Sequence, residues 1–92
     1  MSGHVFHPGH AELHGITVVV ETPGPLTYVG RYDLADERGV HLLDVGIHSQ
    51  QGGLTKGEYL ARSAQFGVRS EHRHVIVPAD QVSRITRLGD LG

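Results

Sequence analysis

Apolar residues in this chain come in short bursts separated by Gly, Pro and Asp, the rhythm of a small β-protein rather than of long amphipathic helices. Ile16–Glu21 (ITVVVE) is a run of β-branched residues, and Thr22-Pro-Gly-Pro25 closes it with a turn. Three consecutive valines, Val18 to Val20, imply a strand buried on both faces. A second strand is predicted over Leu26–Tyr32, a tight acidic turn at Leu34-Ala-Asp-Glu-Arg-Gly39, and a third strand from the apolar run Val40-His-Leu-Leu-Asp-Val45. Gly30 to Val45 therefore reads as an antiparallel hairpin around which the rest is organised. Gly30 falls inside a strand pattern, where glycine marks a sharp bend or the close approach of another backbone.

Beyond Ile47 the polar run His48-Ser-Gln-Gln-Gly-Gly53 predicts a loop. A helix follows over Lys56–Phe66, with Thr55 and Glu58 at capping-box spacing, an apolar stripe of Tyr59, Leu60, Ala61 and Ala64, and Gly67 as its stop. Val75-Ile-Val77 is a short strand and Pro78-Ala-Asp80 a turn. In the last strand, Gln81–Leu88, Val82, Ile85 and Leu88 point inward and Arg84 and Arg87 outward, although their three-residue steps suit a two-turn helix as well. Gly89–Gly92 reads as a frayed end. The expectation is a mainly β fold, a small, strongly bent five-stranded barrel with one helix inserted between strands 3 and 4. Residues 1–14 form a His-rich N-terminal arm and residues 15–92 a single domain.

At 92 residues the chain is expected to bury only about 60–65% of its unfolded surface, so partner subunits would add stability to a thin margin. No cysteine is present, which removes disulfides, thiolate metal sites and a cysteine nucleophile. The first residues lack a basic segment followed by an apolar run, and no stretch is long and apolar enough to span a bilayer. The expected setting is cytoplasmic, away from membranes. Net charge is −2, but it is divided: Met1–Leu54 holds two basic and six acidic residues, Thr55–Gly92 six basic and four acidic. Such asymmetry suits unlike faces meeting between subunits, or one basic face on an acidic body.

Candidate chemistry lies in three groups. His4, His7, His10 and His14 recur at three- and four-residue steps, but Pro8 disfavours a helix that would align them; as neutral imidazoles they are candidate Zn, Ni or Cu ligands. Arg31, Arg38, Arg62, Arg69 and Arg73 are candidate phosphate contacts for RNA or another nucleic acid, the last three lying in the most basic part of the chain with Lys56, His72 and His74. Its aromatics, Tyr59 and Phe66, occupy core-packing positions and do not interleave with the cations as a stacking surface requires. Asp33, Asp36 and Glu37 belong to the acidic turn. No phosphate-binding glycine loop, nucleophile elbow or helical His pair with an intervening Glu occurs. Neither an enzyme nor a cofactor is expected.

One further pattern concerns the hairpin. Gly30, Asp36, Leu43 and Asp44 stand at the spacings of a strand glycine, an aspartate six residues on, and a leucine seven further followed by an acidic residue; Val75-Ile-Val-Pro-Ala-Asp-Gln-Val82-Ser-Arg-Ile85 supplies a turn and a short apolar strand. These segments resemble the two motifs of the Sm-like family, small SH3-like barrels that assemble into rings, and cover about half the chain. The resemblance implies a homo-oligomeric ring closed by pairing of terminal strands between subunits. It also implies an altered RNA pocket. Val40 stands where the family places a base-reading Asn, and Pro78-Ala79 where it places Arg-Gly. Three functions remain open: an oligomeric Sm-like scaffold or adaptor, a nucleic-acid binder with a non-standard basic surface, and a metal binder through the N-terminal histidines.

Overall fold

The computed structural model describes residues 13–91, so the predicted sites at His4, His7 and His10 lie outside the described residues. Five strands form one antiparallel sheet: β1 (Thr17–Glu21), β2 (Leu26–Asp36), β3 (Gly39–Ser49), β4 (His72–Pro78) and β5 (Arg84–Arg87), in the order β4-β3-β2-β1-β5. Among the described residues one α-helix, α1 (Lys56–Phe66), joins β3 to β4. Strands β4 and β5 end the order on opposite sides, so the sheet is not closed.

The three valines of β1 divide between the two faces of the sheet. Val18 and Val20 are fully buried with Tyr32, Val40, Leu42, Val45 and Val77 on one side, while Val19 is fully buried with Val29 and Leu88 on the other. Each fully buried valine is worth roughly 1.5–3 kcal/mol. That second cluster exists because α1 and the segment after it lay Tyr59, Leu60 and Val68 over β1 and β2.

Helix α1 begins as its capping box predicts. The Glu58 N–H donates to Thr55 Oγ1 at 3.1 Å and the Thr55 N–H to Glu58 Oε1 at 3.0 Å. Gly67, at φ +93°, ends it, its N–H reaching the Ser63 carbonyl at 3.0 Å. The buried face differs from the predicted stripe. Ser63 is buried while Ala61, Ala64 and Phe66 are exposed, because the helix meets the sheet along Tyr59, Leu60 and Ser63.

Four strands are longer or shorter than the local pattern implied. Strand β2 runs on to Asp36 and β3 to Ser49, leaving Glu37-Arg38 as a two-residue turn and placing His48 in a strand, buried. Strand β4 starts at His72. The last predicted strand shrinks to Arg84–Arg87, flanked by 3-10 turns at Ala79–Gln81 and Leu88–Leu91. Ile85 still packs on the first cluster, but Leu88, past the strand end, turns to the second.

Gly30 sits at a distortion of the β2–β3 ladder. Val29 pairs with Gly46 and Arg31 with Leu43, so Gly30 faces an extra residue of β3, a bulge at which Asp44 adopts φ +51°. A Cβ at Gly30 would lie 3.0 Å from the Leu43 carbonyl oxygen, 3.0 Å from Val45 Cγ2 and 3.3 Å from Val45 Cα. Gly30→Val is expected to destabilise the protein by about 1–3 kcal/mol. An unchanged melting temperature would show that β3 does not press on this position.

Candidate functional site

The hairpin brings ionisable groups together on the outer side of the sheet next to β4. The Arg38 N–H donates to Asp36 Oδ1 at 2.9 Å, closing the Glu37-Arg38 turn. Antiparallel pairing then sets His41 opposite Leu34, one step diagonal to Asp36 on the same side of the ribbon. His41 Nε2 lies 3.0 Å from Asp36 Oδ2. On its other side, His41 Nδ1 lies 3.1 Å from Nε2 of His74, which β4 delivers from 33 residues away. His41 is only 9% exposed, His74 is exposed, and the Asp36 side chain is 41% exposed. The result is a carboxylate–imidazole–imidazole chain from a turn to an edge strand.

Asp36 is electrostatically conditioned for this role. Desolvation acts to raise its pKa, but hydrogen bonds from the Arg38 and Gly39 backbone and from His41, with the attraction of a charged His41, outweigh it and hold the carboxyl below its ordinary value of 3.8. A depressed aspartate pKa adds stability above the unfolded-state value and loses it as pH falls through the folded one. Wild-type protein is therefore expected to lose thermal stability as pH drops below about 4, and Asp36→Asn to show a flatter acid limb. Melting curves across that range check it; parallel curves would discard the contribution.

A second pair of buried polar atoms lies under α1. His48 Nε2–H donates to the Leu54 carbonyl at 2.7 Å, and the His48 and Tyr59 rings approach to 5.1 Å between centroids. His48 Nδ1 and the Tyr59 hydroxyl are buried without a hydrogen-bond partner. Burial, and secondarily the charge of Glu71, push the Tyr59 pKa up, so the phenol stays protonated. A Cβ at Gly46 would meet that hydroxyl at 2.4 Å, so glycine at this position makes room for the ring.

The arginines proposed from the sequence stand on five separate features. Arg31 is on β2, Arg38 in the hairpin turn, Arg62 on α1, Arg69 in the connection after it and Arg73 on β4. Arg31 is engaged in an ion pair with the bulge residue Asp44. Of the motif residues, Gly30, Leu43 and Asp44 gather at the bulge, while Asp36 belongs to the histidine chain. His14, the one arm histidine described, places Nδ1 2.7 Å from the Asp33 carbonyl oxygen. Among the described residues no group of three His, Cys, Asp or Glu is placed to hold a metal ion, and no helix is long and apolar enough to cross a membrane.

An acidic, solvated turn as expected from the sequence leaves out His41 as the partner of Asp36 and His74 as the partner of His41. The available signal was the five-residue spacing of Asp36 and His41 across a tight turn, which a hairpin places on one face. His74 had no such signal, since only the register of β4 brings it there. Comparison with protein-family models and with curated proteins found no match for this chain.

Proposed function

We propose that the protein is a self-assembling Sm-like scaffold or adaptor. Its bent sheet forms an open barrel, and copies join by pairing β4 of one with β5 of the next. The observation that carries this reading is that, among the described residues, the two ends of one antiparallel sheet are edges without a further strand. Edge strands present a row of backbone donors and acceptors that another strand of the same hydrogen-bonding pattern satisfies. A ring of such heterologous contacts closes on itself and removes both edges. The bulges at Asp33 and Asp44, which increase local twist, favour the bending that a closed ring of small barrels needs.

Charge shapes this contact. Arg73 lies on β4, and Arg84 and Arg87 on β5; all three are exposed. Pairing of the two edges brings like charges closer, so assembly is expected to strengthen with salt, opposite to a complex built on ion pairs. The test is native mass by light scattering after size exclusion in low and high salt, with absorbance at 260 and 280 nm recorded together. A multimer of more than two copies, favoured by salt and free of nucleic acid, supports the scaffold. A monomer under both conditions rejects it. Co-purifying nucleic acid that dissociates with salt would favour the alternative of a basic-surface binder.

A further inference from the structure

The chain Asp36–His41–His74 contributes no backbone group to edge pairing, yet it ends on the edge strand β4. Its protons follow from its partners. The Asp36 carboxylate only accepts, so His41 Nε2, 3.0 Å from Oδ2, carries a hydrogen and donates it. A neutral His41 then has a bare Nδ1, and the 3.1 Å contact is filled by the N–H of His74 Nε2. That leaves His74 Nδ1 bare on an exposed ring. The ring planes differ by only 27° with centroids 5.2 Å apart. With a 3.1 Å nitrogen–nitrogen contact, the rings meet nearly end to end, which one bridging proton suits and two do not.

One extra proton enters at His74 Nδ1 without breaking the chain. The imidazolium still donates through Nε2 to His41, with the Asp36 carboxylate behind it as counter-charge. A second proton, on His41 Nδ1, sets two N–H groups head to head and drives the rings apart.

The consequence falls on the first half of β4. His72, Arg73 and His74 are exposed there, and apolar anchoring begins only with Val75 and Val77 on the first core cluster. The charged and titratable groups around His74 are His72 and Arg73 on its own strand, His41 on β3, Asp36 of β2 through His41, and the Arg31–Asp44 pair beside Leu43, its register partner. Glu71 precedes the strand and is tied by its N–H to the Val45 carbonyl at 2.8 Å. Acid adds positive charge at His72 and His74 on an edge that, in the proposed assembly, faces Arg84 and Arg87 of another copy.

The geometry points to an acid-released edge: Asp36, His41 and His74 hold the start of β4 in place to receive a second copy of this chain at neutral pH, and let it go once both imidazoles are protonated. This inference rests on the edge-pairing reading. It makes β4 a docking strand whose availability is set by proton concentration.

The experiment measures native mass and the dissociation constant of the assembly at about pH 7.5 and about pH 4.5, the lower value chosen because the second proton of a coupled imidazole pair enters against the charge of the first. Wild type, Asp36→Asn and His74→Gln are compared, with long-range proton–nitrogen NMR spectra of the histidine rings on the same samples. Wild type is expected to assemble at least about tenfold more weakly at the lower pH, the equivalent of a one-unit linkage. His74→Gln, whose amide N–H still donates to His41 Nδ1 but does not titrate, is expected to lose much less affinity in acid, keeping only the contribution of His72. At the higher pH the spectra should show His41 protonated on Nε2 and bare on Nδ1, and Asp36→Asn should perturb both rings. Equal acid sensitivity in His74→Gln, or a protonated His41 Nδ1 at the higher pH, overturns the inference. Should wild type be monomeric at both values, the assembly reading falls separately. The latch is then judged by amide exchange of residues 72–74: protection lost in acid by wild type and kept by His74→Gln supports it, and equal protection rejects it.

Discussion

Gly39→Ala is expected to be among the most destabilising single changes in this protein, at about 3 kcal/mol or more. Gly39 opens β3 at φ +139°, a backbone conformation L-residues rarely adopt. A Cβ there would lie 2.0 Å from the Val77 carbonyl oxygen, 2.8 Å from its carbon and 2.9 Å from the Ala79 nitrogen. All three are backbone atoms of β4 and the turn after it, so no side chain can rotate away. Relief requires β4 to move off β3, which opens the Gly39–Pro78 and Val40–Val77 pairs and uncovers two fully buried valines. In a domain this small the cost corresponds to a fall in melting temperature of more than about 10 °C. Thermal and urea unfolding measure it directly. An Ala variant with the wild-type midpoint would mean that the strand start does not touch Val77.

Leu42→Ala is expected to cost about 2–5 kcal/mol through a different mechanism, lost burial plus a cavity. Leu42 is fully buried and sits in the middle of the first cluster, opposite Tyr32 on β2 and Val75 on β4. Neighbours on two ladders hold the backbone at this point, so the void cannot collapse far. Leu34→Ala is the matched control: Leu34 is 43% exposed, one ladder step away, and its loss should change stability by less than about 0.5 kcal/mol. Urea midpoints of the two variants separate burial from mere apolarity. Similar midpoints would contradict the assigned faces of the hairpin.

Gly30 and Gly39 of the hairpin show how differently a sequence carries its structural information. Gly39 follows Asp-Glu-Arg and is legible as a turn residue from its neighbours alone, because the two-residue turn is made by local hydrogen bonds such as Arg38 N–H to Asp36 Oδ1. Gly30 is legible as an anomaly, a glycine in a strand, but what it accommodates is decided 13 to 15 residues later, where Leu43, Asp44 and Val45 crowd against it at the bulge. Likewise the capping box at Thr55 and Glu58 placed the helix, whereas its buried face, Ser63 rather than Ala64, depended on where the sheet lay beneath it.

The candidate site divides the same way. Asp36 belongs to an acidic turn and His41 to an apolar run, and only their five-residue spacing across that turn points to the contact between them. His74 belonged to the most basic stretch of the chain, where its charge rather than its position drew notice. Only the pairing of β4 with β3 brings its ring to His41. The arginines show the converse: adjacent in number from Arg62 to Arg73, they are distributed over a helix, a connection and a strand.

By itself the sequence determined the short β-strands, a turn within Leu34–Gly39, the doubly buried β1 and the helix Lys56–Phe66, because each depends on neighbours within a few residues: β-branching, turn chemistry, capping and apolar spacing. The tertiary structure alone decided the bulges at Asp33 and Asp44, the two-sided core with Leu88 beneath the helix, the burial of His48, the arrival of His74 at His41 and the placing of β4 and β5 at the two ends of the sheet. Those features are set by strand register, and register is a property of residues far apart in the chain, where a shift of one position exchanges every inward side chain for an outward one.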